Sequence, residues 1–275
     1  MFIAAIALYI IGGRYFVNKR KIMSNQSLII SSTVNIKKNK NKKISDPKLR
    51  LKQYKSSLKK WLSNQDVFQK IVWVENSDFD LSYLSDYSKK ISHKKKIEFI
   101  SYFSKENEKQ SYGGFGELEQ INKAVELSDL VGDFFYITGG RNFVKNIKKI
   151  HLNTYDIQCN FNRNLVYTNS EFWGVSKEIF RTHLYPIMIE EMNKGAHFEQ
   201  GLAMGIHSAI IDGAKWSPIL PTPINDGYSA AKGTRYMQRW PFLVRFIKDI
   251  SDQIHYKNCI TSNKDGNHYY DVTKI

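Results

Sequence analysis

Residues 133–149 read DFFYITGGRNFVKNIKK. Phe134, Phe135, Tyr136 and Ile137 make a short apolar run of the kind a buried strand needs. The run stops at Thr138-Gly139-Gly140-Arg141, and an apolar-basic segment follows. Two glycines at a strand end let the backbone come close to a ligand, and an arginine beside them offers a planar fork of donors to an anion. A turn with a solvent-facing arginine would have the same sequence, so the weight falls on the other strand ends.

Upstream, residues 27–36 read as a strand in which Leu28-Ile29-Ile30 runs into Ser31-Ser32-Thr33. Residues 70–77, KIVWVENS, give a second strand ending in Glu75-Asn76-Ser77. A third covers 97–103 and is followed by a loop, 104–116, that closes on YGGFGE. Helical segments separate them. Asp46-Pro47 supplies a cap acceptor and a first-turn proline, and Leu51, Tyr54, Leu58, Trp61 and Leu62 then recur at helical spacing. A helix is expected over 80–91, and another where Leu118, Ile121, Ala124 and Val125 share a face. This alternation predicts an α/β protein with a mostly parallel sheet and helices on both faces. In such sheets ligands bind beyond the carboxyl ends of the strands.

The second half changes character. Two strands are expected over 156–163 and 165–174, the latter carrying NSEFWGVS, and two helices over 177–192 and 198–211. A loop-rich stretch follows from Trp216, with Pro218, Pro221 and Pro223, and then a basic aromatic segment over 232–248. Neither a repeat nor a linker divides the chain. One domain is expected over 23–275, with a first half of about 23–150 and a second of about 151–250. Residues 1–22 contain the apolar run FIAAIALYII followed by Arg14, Lys19, Arg20 and Lys21. That run is shorter than the roughly 20 residues a bilayer span needs. It reads as an extension or weak anchor outside the fold, or else Met23 is the natural start.

The 275 residues carry 41 Lys+Arg against 26 Asp+Glu, a net charge of +15. This draws the chain toward an anionic partner: nucleic acid, an anionic membrane face or a phosphorylated substrate. A hydrophobic content of 42% with 13% aromatic residues excludes a disordered chain. Cys159 and Cys259 make no disulfide framework and have no metal-ligand spacing, which suits a reducing, cytosolic compartment. His197 and His207 do not share a helix face.

Loops at successive carboxyl ends of a parallel sheet converge on one cleft. The hydroxyls of Ser31, Ser32 and Thr33 suit a base, Glu75 and Asn76 a ribose, and Thr138, Gly139, Gly140 and Arg141 a diphosphate. Turn-forming residues are also what strand ends generally carry. Gly114 permits close approach before the helix that Glu117 opens, and Glu117 could bind sugar hydroxyls or serve only as a first-turn acid. The stretch from Asp226-Gly227-Tyr228 to Lys232 reads as a closing loop or a plain turn.

The sequence resembles GT-A-fold glycosyltransferases of bacterial or viral surface-polysaccharide assembly. Four places carry the resemblance: the opening strand with its hydroxyl-rich end and VENS; YGGFGELEQI; the corner FYITGGRNFVKN; and the pair EFWGVSKEIF and HFEQGLA. It departs from the family at Tyr136, where such corners carry a lysine, and at Gly140, an added residue. The resemblance implies a nucleotide-sugar donor held by the first half and a glycan or lipid-linked saccharide acceptor held by the second. It implies an inverting transfer with Glu199 as base, Glu171 as the runner-up, and Phe172, Trp173 and Tyr228 on the acceptor side. Many such enzymes hold Mn2+ or Mg2+ through an Asp-x-Asp element. The literal match here is Asp78-Phe79-Asp80, where Asp80 also suits a helix cap. Without a metal, Arg141, Arg163 and Lys232 are the cations available to a diphosphate. The expected setting is cytoplasmic with peripheral membrane contact and no nucleic-acid partner. The competing readings are a basic nucleic-acid-binding protein or nuclease, and a non-catalytic glycan-binding relative of the same fold.

Overall fold

A computed structural model describes residues 26–36, 45–64, 66–91, 96–105, 114–152, 155–162 and 164–229. Beyond these it describes 234–236, 241, 244, 247–248, 251–252, 255, 259–262 and 268–270. The expectations for 1–22, Arg163 and Lys232 lie outside the described residues. No helix among the described residues is long and apolar enough to cross a membrane.

Four strands, β1 (Gln26–Ser32), β2 (Lys70–Glu75), β3 (Lys96–Ser101) and β4 (Phe134–Gly139), alternate with α1 (Pro47–Ser63), α2 (Ser82–Ile91) and α3 (Phe115–Leu127). After β4 come the short β5 (Phe143–Val144), β6 (Ile157–Gln158) and β7 (Phe172–Ser176). The helices α4 (Lys177–Ile179), α5 (Tyr185–Asn193) and α6 (Phe198–Ile211) and the strands β8 (Trp216–Ser217) and β9 (Asn225–Asp226) complete the body. The seven-stranded sheet has the order β3-β2-β1-β4-β7-β6-β8. The first four strands are parallel and β7 runs against β4. The fold class is thus the expected α/β, with a mostly parallel central sheet and a second half that mixes antiparallel strands with helices.

Alternation along each strand explains why both faces are covered. Ile29, Phe135, Ile137, Trp173 and Val175 join one buried cluster with Leu118, Ile121, Ala124 and Val125 of α3 and with Leu202 and Ile206 of α6. Leu28, Ile30, Phe134, Tyr136 and Phe172 join the other, with Tyr54, Leu58, Trp61 and Leu62 of α1. Helix α1 begins as its sequence requires: the Asp46 side chain accepts from Lys48 N at 3.0 Å and a proline occupies the first turn.

The second half departs from the expected elements. The strands expected over 156–163 and 165–174 shrink to β6 and β7, because Asn162 closes a turn between them. Its N donates to Tyr167 O at 2.7 Å, and its Oδ1 accepts from Tyr167 N at 3.0 Å. The helix expected over 177–192 passes through a π turn at Phe180–Leu184 before Pro186 opens α5. Proline has no N–H with which to continue an ordinary ladder.

Candidate functional site

Strands β1 to β4 end on one edge of the sheet, and β7 begins there. Register places Ser31 beside Gly139. Gly140 N then donates to Ser31 O at 2.7 Å. A Cβ on Gly140 would lie 3.0 Å from Ser31 O and from Tyr54 Cε1, so the corner tolerates little beyond glycine. This close approach delivers Arg141 to the end of β1.

Arg141 is 9% exposed, and its Nη1 has no hydrogen-bond partner among the described residues. Burial, followed by the nearby Arg50, pushes its pKa down. Arg50, also buried, comes from the first turn of α1. It donates from Nε to Thr33 O at 2.5 Å and from Nη2 to the Tyr54 hydroxyl at 2.7 Å. That hydroxyl accepts from Thr33 N and donates to Thr33 O, fixing the backbone beyond β1.

Three glutamates face this corner. Helices α3 and α6 start side by side: a Cβ on Gly114, whose φ is +131°, would lie 2.6 Å from Phe198 Cβ. Each helix carries an acid in its first turn, Glu117 and Glu199, where the helix dipole favours negative charge. Burial, with Glu171 and Glu199 nearby, pushes the Glu117 carboxyl up to about 8; Ser31 Oγ donates to it at 3.5 Å. Glu171 immediately precedes β7. Asn142 Nδ2 donates to one of its carboxylate oxygens and the Tyr236 hydroxyl to the other. Burial raises its pKa as well. Glu199 is half-buried and accepts from Ser170 Oγ at 3.1 Å.

A second layer lies over the corner. Gly227 presses on it so closely that a Cβ there would be 2.3 Å from both Arg141 O and Asn142 Oδ1. Tyr236 N donates to Gly227 O at 2.9 Å, which ties the glycine to the residue that holds Glu171. Burial raises the pKa of Asp226, but Lys60 and Arg235, each 2.9 Å away, outweigh it and the net shift is downward. Tyr228 is half-buried and bridges Arg235.

The structure therefore gathers Ser31, Thr33, Gly114, Glu117, Thr138, Gly139, Gly140, Arg141, Glu171 and Glu199 along one edge. Thr138, with the neighbouring Ser32 and Asn76, does structural tasks. Thr138 is buried and donates to Glu171 O at 2.9 Å. Ser32 donates to Val74 O at 3.0 Å and accepts from Trp73 Nε1 at 2.8 Å. Asn76 accepts from Thr33 Oγ1 at 2.7 Å and donates to Gly116 O at 3.3 Å.

Glu75 corrects an expectation. It is fully buried, and Val34 N, Ser77 N and Phe79 N donate to its carboxylate at 2.8–2.9 Å. The hydroxyls of Ser77 and Ser101 donate as well. Glu75 thus knits three loops together and turns no free oxygen toward a ribose. Phe172 and Trp173 are a second correction. At 1% and 0% exposure they enter opposite cores, Phe172 stacking on Tyr136 at 5.2 Å, so neither can lie on a sugar face.

The aspartate pair does not fit a divalent cation. Asp80 is exposed, and its Oδ1 accepts from Ser82 N at 2.8 Å and from the Ser82 hydroxyl, capping α2. Asp78 is exposed on a positive-φ turn at +55°. Among the described residues no group of three or more His, Cys, Asp or Glu is arranged to hold a metal.

Arg50, Asn142, Ser170 and Tyr236 escaped the sequence reading, and Tyr54 entered it only as one of the recurring helical positions. Arg50 and Tyr54 stand four apart on one helix face, a visible signal. Tyr236 reaches Glu171 across 65 residues, and nothing local announces it.

No protein-family model and no curated protein matches this chain. Solved structures do resemble it. HddC from Yersinia pseudotuberculosis is 11% identical over 74% of this chain and 93% of its own, with a TM-score of 0.37. Core-mannan synthase A (CmsA/Ktr4) from Aspergillus fumigatus, in a Mn/GDP form, is 8% identical over 87% of this chain and 86% of its own, with a TM-score of 0.47. The galactosyltransferase LgtC, in complex with donor and acceptor sugar analogues, is 9% identical over 66% of this chain and 70% of its own, with a TM-score of 0.45. Likenesses at this level do not decide what the chain does; the residues at the sheet edge have to.

Proposed function

We propose that the chain is a GT-A-type glycosyltransferase. It moves a sugar from a nucleotide-sugar donor to a glycan or lipid-linked saccharide acceptor in surface-polysaccharide synthesis, with inversion. The observation that supports this reading most is a buried arginine, Arg141, with an unpartnered Nη1 among Glu117, Glu171 and Glu199. A buried guanidinium with a donor unmet among the described residues, at the carboxyl ends of parallel strands, suits an anionic ligand, and a nearby carboxylate suits proton removal.

In this reading the acceptor hydroxyl oxygen attacks the anomeric carbon and its proton passes to the Glu199 carboxylate. The bond from the anomeric carbon to the phosphate oxygen breaks on the opposite face. The nucleoside diphosphate leaves with its new charge directed at Arg141. Glu199 is preferred to Glu171 as base because it is only half-buried and accepts a single side-chain bond among the described residues, from Ser170, whereas both oxygens of Glu171 are held. Glu117, held up to about 8, keeps its proton at neutral pH and can donate to a sugar hydroxyl. The net charge of +15 suits work at an anionic membrane face.

Thermal-shift screening against UDP-, GDP- and CMP-sugars, beside a salt-titrated DNA-binding assay, tests the proposal. Stabilisation by one nucleotide sugar is expected. DNA binding that tightens steeply at low salt, with no response to any nucleotide, would replace this reading by a nucleic-acid partner.

A further inference from the structure

We propose that the Arg141 guanidinium takes the place of a divalent cation, so that a nucleoside diphosphate binds this corner without metal. The inference rests on the nucleotide-sugar reading and specifies how that site manages charge. Three observations carry it.

First, the position at the end of the central strand is occupied by a fixed positive charge. Gly140 lies against Ser31 O, and Arg141 follows it into a buried place where Nη1 has no partner among the described residues. A guanidinium keeps its charge and presents donors in a plane that matches two phosphate oxygens. A buried donor of this kind is disfavoured unless something supplies the acceptor.

Second, the surrounding carboxyl groups are bound by neutral donors. Glu171 is held by Asn142 and Tyr236, Glu199 by Ser170, and Glu117 by Ser31. Arg141 therefore keeps its donor for an incoming anion, while a metal ion would have to displace the Asn142 amide and the Tyr236 hydroxyl at Glu171 and a proton at Glu117. It would do so beside a cation that cannot be neutralised, with Arg50 behind it.

Third, the Asp78-Phe79-Asp80 pair belongs to the start of α2. Its second member is committed to Ser82 as a cap, and the pair follows β2, not β4.

Isothermal titration of the full chain with UDP and GDP, and with uridine and guanosine as controls, separates the possibilities when run in EDTA and in manganese. The expected result is a nucleoside diphosphate whose Kd differs by less than about twofold between the two buffers. Arg141→Gln should weaken it at least about tenfold, one phosphate-bound guanidinium's share, and leave the nucleoside's affinity unchanged. Arg141→Lys, which keeps the charge without the fork, should fall between and guards against a folding artefact. Diphosphate binding that needs manganese and survives Arg141→Gln overturns this inference alone. Failure of every nucleotide in both buffers, with the unfolding transition intact, overturns the nucleotide-sugar reading beneath it.

Discussion

The carboxyl ends of β2 and β4 flank β1 on the same edge of one sheet, yet their charged residues are in opposite states. At the end of β2, the fully buried Glu75 receives three backbone N–H groups and two hydroxyls. At the end of β4, the almost equally buried Arg141 has a donor that nothing among the described residues meets. Polar strand ends look alike in a sequence. What separates an anchor from a site is whether the fold has already supplied the partners.

The largest effect is expected where the unsatisfied end does its chemistry. Glu199→Gln should lower the transfer rate by about 10²- to 10⁴-fold, the usual contribution of a general base, with donor affinity unchanged. Single-turnover kinetics beside equilibrium binding reads this. A variant that transfers normally would shift the role to Glu171.

Glu75→Ala attacks the satisfied end. It strands three buried donors and should destabilise the fold by about 3 kcal/mol or more. Urea unfolding measures it. If stability holds, the contrast between the two ends collapses.

Glu117 gives the comparison a pH axis. Its carboxyl titrates near 8 in the folded chain against an ordinary value of 4.5. Between those values the folded chain keeps a proton that the unfolded chain has released, so stability falls as pH rises through the window and levels off above it. Glu117→Gln should remove part of that slope, on the order of 2 kcal/mol across the window. Urea midpoints across the window would show it.

The smallest effect has an unusual sign. Arg141→Met replaces a buried charge, whose Nη1 meets no partner among the described residues, with an apolar chain, so the ligand-free protein should gain about 1 kcal/mol of stability. Calorimetry without nucleotide would read this as a rise of a few degrees in Tm.

Much of the frame was legible because burial is periodic. Leu51 to Leu62 and Leu118 to Val125 announced helices, and the 198–211 helix has the bounds its pattern suggested. The Thr138-Gly139-Gly140-Arg141 corner was legible as a strand end, because an apolar run stops at a glycine pair, but the burial of its arginine was not, since a solvent-facing arginine has the same sequence. Phe172 and Trp173 misled for a physical reason. Alternation places neighbours on opposite faces, but only the assembled layers reveal that both faces are covered. Glu75 misled similarly, since its partners come from residues 34, 77, 79 and 101, on three separate stretches of chain. The turn at Asn162 depends on its backbone and its side chain both meeting the backbone of Tyr167, below the resolution of a hydropathy pattern.

Gly227 bears on how such a corner can vary. The missing side chain would sit 2.3 Å from the carbonyl of Arg141, a wall of main chain that has nowhere to retreat. Even a methyl group would therefore prise the covering segment upward. Tyr236, hydrogen-bonded to that same glycine, would lift with it, and Glu171 would lose one of the two hands that steady it. The roof over the arginine is thus cut to a clearance of a single hydrogen atom, and the protonation and aim of a carboxylate two layers below depend on that clearance.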